Sequence, residues 1–247
     1  MKKYELTENT IEVYGRTLFQ IRALRNFGNV KEGEMGGYIE EEDNLSQDGN
    51  AWVYDNAKVY GNAEVYGNAK VYGNAEVCGN AEVYGDAWVC GDAEVYGNAE
   101  VCGNAEVYGD AWVYGNAEVY GNAKVYGNAE VCGNAEVYGD ALVYGNAKVY
   151  GNAEVYGNAE VCGNAEVCGD ADVYGDAEVY GKDDYIVFKN WWSSGRYFTW
   201  TRSNNKWQVG CFYGTGEELI AKAYKDSEKS GREYERIVRY VEEILKE

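Results

Sequence analysis

The chain has no histidine and no proline in 247 residues, and it is poor in basic side chains. Without imidazole there is no Ser-His-Asp or Cys-His nucleophile system, no histidine metal ligand and no imidazole general base. Much hydrolase and transferase chemistry is thereby excluded. Only 22 Lys and Arg face 42 Asp and Glu, for a formal charge of −20. That balance argues against a protein that grips nucleic acid, or an anionic membrane, through a basic surface of its own. No apolar run approaches the roughly 20 residues that a membrane span needs. The opening Met-Lys-Lys-Tyr-Glu-Leu-Thr-Glu has no apolar signal core. These absences predict a cytoplasmic protein that meets neither membrane nor nucleic acid directly.

What is present is a repeat. From Gly49 to Tyr180 the chain runs through 22 six-residue units of the form Gly-Asn-Ala-Glu-Val-Tyr, without an insertion. Alanine recurs from Ala51 to Ala177 and valine from Val53 to Val179, with variation in the second, fourth and sixth slots. Ala-X-Val-Tyr alternates with period two, which sends Ala and Val to one side of a strand and X and Tyr to the other. Gly-Asn accepts the sharp corner that follows. A short strand and a corner, repeated without pause, must coil, and an interior of Val and Ala keeps the coil narrow. The pattern predicts a β-solenoid with rungs about 4.8 Å apart.

The unit Val-Tyr-Gly-Asn-Ala-Glu resembles the hexapeptide signature of left-handed parallel β-helices. The resemblance implies an all-β fold: a left-handed triangular prism of three units per coil, about seven coils and about 35 Å long. Residues 1–48 read as an N-terminal cap, with strand-like runs at Thr10–Tyr14 and Thr17–Ala23 and a degenerate first coil over Gly36–Asp48. A cap followed directly by hexads is similar to a group of small acidic β-helical proteins carried by bacteria and their phages. That group offers no catalytic residue to carry over.

Residues 49–181 form the repeat region, and residues 182–247 change character to a small α+β domain that caps the rod or docks a partner. Three strands are expected there, at Tyr185–Lys189, Tyr197–Thr201 and Trp207–Tyr213. Two helices should follow, opened by the capping boxes Thr215–Glu218 and Ser230–Glu233. Trp191, Trp192, Phe198, Trp200 and Trp207 suggest an aromatic core or a docking surface. The repeat region carries −17 of the charge, against −4 before it and +1 after it.

Three units per coil sort the variable slots onto three faces. On one, Glu64, Glu82, Glu100, Glu118, Glu136, Glu154 and Asp172 follow one another without a lysine. Stacked like charges at this spacing repel by about 1 kcal/mol per neighbouring pair even in water. A face built only for stability would mix in lysine, so these seven are the candidate partner-binding residues, beside a solubilising role. A tyrosine ladder runs next to them. Six of the seven cysteines replace Tyr in this slot, and the closest same-face pair, Cys132 and Cys168, is two coils apart, so the thiols should be free.

Hexapeptide-repeat proteins include acyltransferases, but those use a histidine base and a loop between coils, and this sequence has neither. No catalytic residue, cofactor or metal is expected. A stiff rod of regular carboxylates instead offers a protein's basic groove a pattern like a phosphate backbone. Pentapeptide-repeat β-helices work this way as a family. The expected function is thus a non-enzymatic inhibitor of a nucleic-acid-handling enzyme, such as a phage counter-defence protein against a CRISPR nuclease. The alternative is a spacer rod whose C-terminal domain docks or oligomerises.

Overall fold

The computed structural model describes residues 2–246. Every repeat alanine from Ala51 to Ala177 and every repeat valine from Val53 to Val179 is fully buried, in one continuous core. Each valine so buried contributes on the order of 2 kcal/mol. The strands are shorter than the Ala-X-Val-Tyr expected: most are two residues, X-Val, and some extend to X-Val-Tyr-Gly, as at Trp112–Gly115. Alanine belongs to the corner.

Strands one coil apart pair in parallel, Trp88 with Glu106 and Val89 with Val107 for example. The result is a parallel β-solenoid of three sheets, with ten, eight and seven strands. Tyr38 pairs with Lys58, and Leu45 bridges Val65, so Gly36–Asp48 is the degenerate coil and brings the rod to about eight turns.

The corners turn on glycine in the left-handed region, Gly109 at φ 76° among them. A Cβ there would also sit 3.0 Å from the backbone N and O of Gly127 on the next coil. Gly109→Ala should therefore cost about 2 kcal/mol or more, read as a lower melting temperature by circular dichroism. The glycine slot is not invariant, as the slot pattern implies. Asp55 occupies it at φ 50°, and its carboxylate accepts from the Gly73 N–H at 3.2 Å.

Corner asparagines stack into amide ladders, each Nδ2 donating to Oδ1 one coil later, as from Asn80 to Asn98 to Asn116 at 2.8 and 2.9 Å. Aspartate ends such a ladder, because a carboxylate accepts but cannot donate. Asn68 donates to Asp86 and Asn122 to Asp140.

A parallel rod leaves carbonyls bare at one end and N–H groups at the other, and the two caps answer accordingly. At the N-terminal end, Ala51 O accepts from Lys3 Nζ at 2.9 Å, Ala57 O from Tyr38 N at 2.9 Å and Ala63 O from Asn44 Nδ2 at 2.9 Å. Lys3 is fully buried, and burial, helped by the nearby Arg25 charge, pulls its pKa down to about 8. The antiparallel hairpin Tyr4–Val13 and Arg16–Ala23 extends the ten-stranded sheet. Trp52, expected on the outside, is buried against Tyr4 and Phe27 of this cap.

At the C-terminal end the acceptors are side-chain oxygens, among them the Asp184 carboxylate, which takes Tyr180 N at 2.8 Å. Asp172 N donates to Thr199 Oγ1 at 2.9 Å and Glu178 N to Ser203 Oγ at 2.7 Å. The capping sheet has four antiparallel strands, not three, because Gly210 at φ 57° turns the expected last strand into Lys206–Val209 and Phe212–Gly214. Two helices follow, Gly216–Asp226 and Glu228–Ile244. The Thr215–Glu218 capping box forms. The second helix starts three residues earlier than the Ser230 box implies: Ser227 is its N-cap and takes the Ser230 N–H. Trp192, Phe198, Trp200 and Trp207 are buried as this domain's core, whereas Trp191 is 71% exposed. All seven cysteines are free thiols. No described helix is long and apolar enough to cross a membrane.

Candidate protein-binding face

The seven-stranded sheet consists of the strands that begin at Glu64, Glu82, Glu100, Glu118, Glu136, Glu154 and Asp172, in that order. Their registers place each acid directly beside the next, Glu100 with Glu118 and Glu118 with Glu136 among them. The structure thus brings together all seven residues that the repeat arithmetic selected. Glu64 and Glu118 are exposed and the other five are half-buried. The adjacent tyrosines give the step: Tyr120 and Tyr138 stack with centroids 4.8 Å apart and planes 2° from parallel. Six such steps make a ladder about 29 Å long.

The tyrosine slot does more than stack. Four hydroxyls of this ladder reach the glutamate one coil on: Tyr66 donates to Glu82 at 2.6 Å, Tyr84 to Glu100 at 3.0 Å, Tyr120 to Glu136 at 2.8 Å and Tyr138 to Glu154 at 2.9 Å. These bonds orient the carboxylates without neutralising them. Glu118 has Cys102 where the donor tyrosine would be. Its pKa is raised, first by partial burial and then by the Glu136 and Glu100 charges on either side.

The other two faces are partly compensated. Lys58 pairs with Glu76 at 2.6 Å, Lys124 with Glu106 at 3.0 Å and Lys148 with Glu130 at 2.7 Å. The remaining repeat lysine, Lys70, lies 5.0 Å above the Trp88 ring. All four repeat lysines are engaged away from the acidic sheet. Among the described residues, none of the ion pairs includes any of the seven acids.

Asp172 differs from the rest. It ends the ladder beneath the capping strand Tyr197–Thr201, and burial, with Glu154 and Asp170 nearby, pushes its pKa up to about 6. A carboxyl whose folded pKa is raised gives stability that is complete below its unfolded pKa and is lost as pH rises through the folded one. Asp172→Asn should therefore raise the melting temperature at neutral pH by roughly 2–4 °C per kcal/mol recovered, and should leave it unchanged near pH 4. A thermal-melt series across that range reads both.

Corner aspartates add charge unevenly. Asp86, Asp140 and Asp176 lie on the corner that the chain reaches as it leaves the acidic sheet, and Asp170 lies on the corner by which it enters. Asp92 and Asp110 stand on the third corner, opposite the ladder. Four of the six can reinforce the acidic face, then, and not all of them. The tyrosine donors went unread in the sequence, although a Tyr 16 residues before Glu82, Glu100, Glu136 and Glu154 was the signal.

No protein-family model matches the chain. No curated protein matches it at a significant level. Among the described residues no group of three or more Cys, Asp or Glu is placed to hold a metal ion.

Proposed function

We propose that this protein is a non-enzymatic binder whose acidic sheet occupies the basic groove of a nucleic-acid-handling protein by imitating a phosphate backbone, and so inhibits it. The observation that carries the reading is the uncompensated ladder: seven aligned carboxylates, while every repeat lysine is committed elsewhere. Charge self-repulsion of this kind is unfavourable for the rod alone and is relieved by a cationic partner. The step of about 4.8 Å is longer than the 3.4 Å advance per phosphate on one DNA strand. Asp86 and Asp140 on the flanking corner supply intermediate charge. The resemblance to phage-borne β-helical proteins makes a host defence nuclease the first target to test. The histidine base of hexapeptide-repeat acyltransferases has no counterpart in this sequence.

The experiment is affinity capture from bacterial lysate with the immobilised protein, at low and at high salt. A nucleic-acid-handling protein retained at low salt and released by moderate salt is the expected result. Retention that ignores salt, or capture confined to proteins without a nucleic-acid groove, contradicts the reading. The spacer-rod alternative draws on the exposed Trp191 of the C-terminal domain. It predicts that residues 182–247 carry the capture.

A further inference from the structure

The rod holds two grooves, each centred on an exposed tryptophan in a Gly-Asp-Ala-Trp-Val unit, the first also walled by Gly28, Asn29 and Tyr54. Trp88 is 40% exposed and Trp112 is 41% exposed. Around Trp88 a groove of about 380 Å³ includes Lys70, Asp86 and Glu106. Around Trp112 a second groove of about 380 Å³ includes Asp92, Glu94, Asp110 and Glu130. The two are related by the rod's own geometry, for the rung before Trp88 carries Lys70 and the rung before Trp112 carries Glu94.

That difference decides what each groove can take. In the first, the Lys70 ammonium sits 5.0 Å over the indole, so the ring face already has its cation. In the second, the corresponding slot is a carboxylate, and among the described residues the ring face has no cation. Glu94 makes no ion pair among the described residues, and no lysine is opposite Asp110. Glu130 is already committed to Lys148 at 2.7 Å. An aromatic face flanked by two carboxylates outside any ion pair among the described residues, where the other groove's indole already carries a lysine, is complementary to a planar cation. A guanidinium suits it best, since it stacks on an indole while its N–H groups lie in the plane, towards flanking carboxylates.

We infer that the Trp112 groove receives an arginine side chain of a partner protein, stacked on the indole and held by Asp110 and Glu94. The groove borders the corner opposite the seven-acid ladder, so this contact is separate from the proposed mimicry, and either can fail without the other. A rod gripped at both places would have two sides engaged.

The test is a titration of the protein with N-acetyl-arginine amide, followed by NMR on the tryptophan indole N–H signals, with Trp112 assigned from the spectrum of Trp112→Glu. A saturable shift at Trp112 is expected, with little change at Trp88, where Lys70 covers the ring. The neutral N-acetyl-glutamine amide should leave Trp112 unmoved. Asp110→Asn should weaken binding by about fivefold, the loss of one exposed charged contact. Lys70→Glu should make Trp88 respond as Trp112 does. These substitutions install residues that the same slots carry in other units, so the fold tolerates them. An unsaturable response at Trp112, an equal shift with the neutral amide, or undiminished binding in Asp110→Asn overturns the inference.

Discussion

Replacing Glu100, Glu118 and Glu136 by lysine should abolish partner capture while the rod stays folded. The three stand on consecutive coils at the middle of the acidic sheet, so the change removes three negative charges and adds three positive ones where a basic groove would close. The rod loses the Tyr84 and Tyr120 hydroxyl bonds to Glu100 and Glu136, part-buried contacts worth about 1 kcal/mol each. Against that, new Glu82–Lys and Lys–Glu154 neighbours replace two repulsions with attractions. The control must change charge equally without breaking ion pairs. Glu76 and Glu130 are unsuitable, because they hold Lys58 and Lys148. Glu160, Glu166 and Glu178 form no ion pair among the described residues and lie outside the Trp112 groove, and lysine there should leave most of the capture intact. Equal loss in both triple variants means that net charge alone matters, and the ladder reading fails.

The second large effect is alkaline collapse. Tyrosines along the rod have raised pKa values, Tyr66 and Tyr138 first through burial and then through the bonds to Glu82 and Glu154. For Tyr84 the hydrogen bond to Cys102 comes first, and Tyr150 is pushed up to about 12, led by its bond to Cys168. An acid whose folded pKa exceeds its unfolded one stabilises the fold below the unfolded value, about pH 10 for tyrosine, and loses that contribution as pH rises above it. Lys3, with its lowered pKa, works in the opposite direction between about pH 8 and 10.5, but it is one group against many. The melting temperature should fall by more than about 10 °C between pH 9 and pH 11. Tyrosinate absorbance should rise with unfolding, in one step. Tyrosines that titrate freely near pH 10 in an intact rod would contradict this account of the Tyr–Glu network.

The solenoid was legible because its determinants are local and repeated: Ala and Val every six residues, glycine at every corner but one. The ladder followed from counting by 18, since register in an uninterrupted solenoid is arithmetic. Where side chains of different elements meet, the arithmetic had nothing to count. The burial of Trp52 under Tyr4 and Phe27, and the capping of alanine carbonyls by Lys3 and Asn44, depend on the N-terminal hairpin folding back. The Ser227 N-cap was missed because Ser230 offers the same chemistry three residues later. In the site, charge was readable, but its compensation was not. That Lys58, Lys124 and Lys148 each face a glutamate could be counted, whereas the Lys70–Trp88 pairing and the cover over Asp172 come from three-dimensional packing.

The central claim is that the acidic sheet stands in for a phosphate backbone, and competition tests it most directly. A partner captured by the parent protein is titrated with duplex DNA, and the affinity of the pair is measured across a salt series. Mimicry predicts that DNA displaces the protein from the partner, and that affinity falls steeply and linearly in log–log form as salt rises. A ternary complex with DNA, or an affinity indifferent to salt, would contradict it.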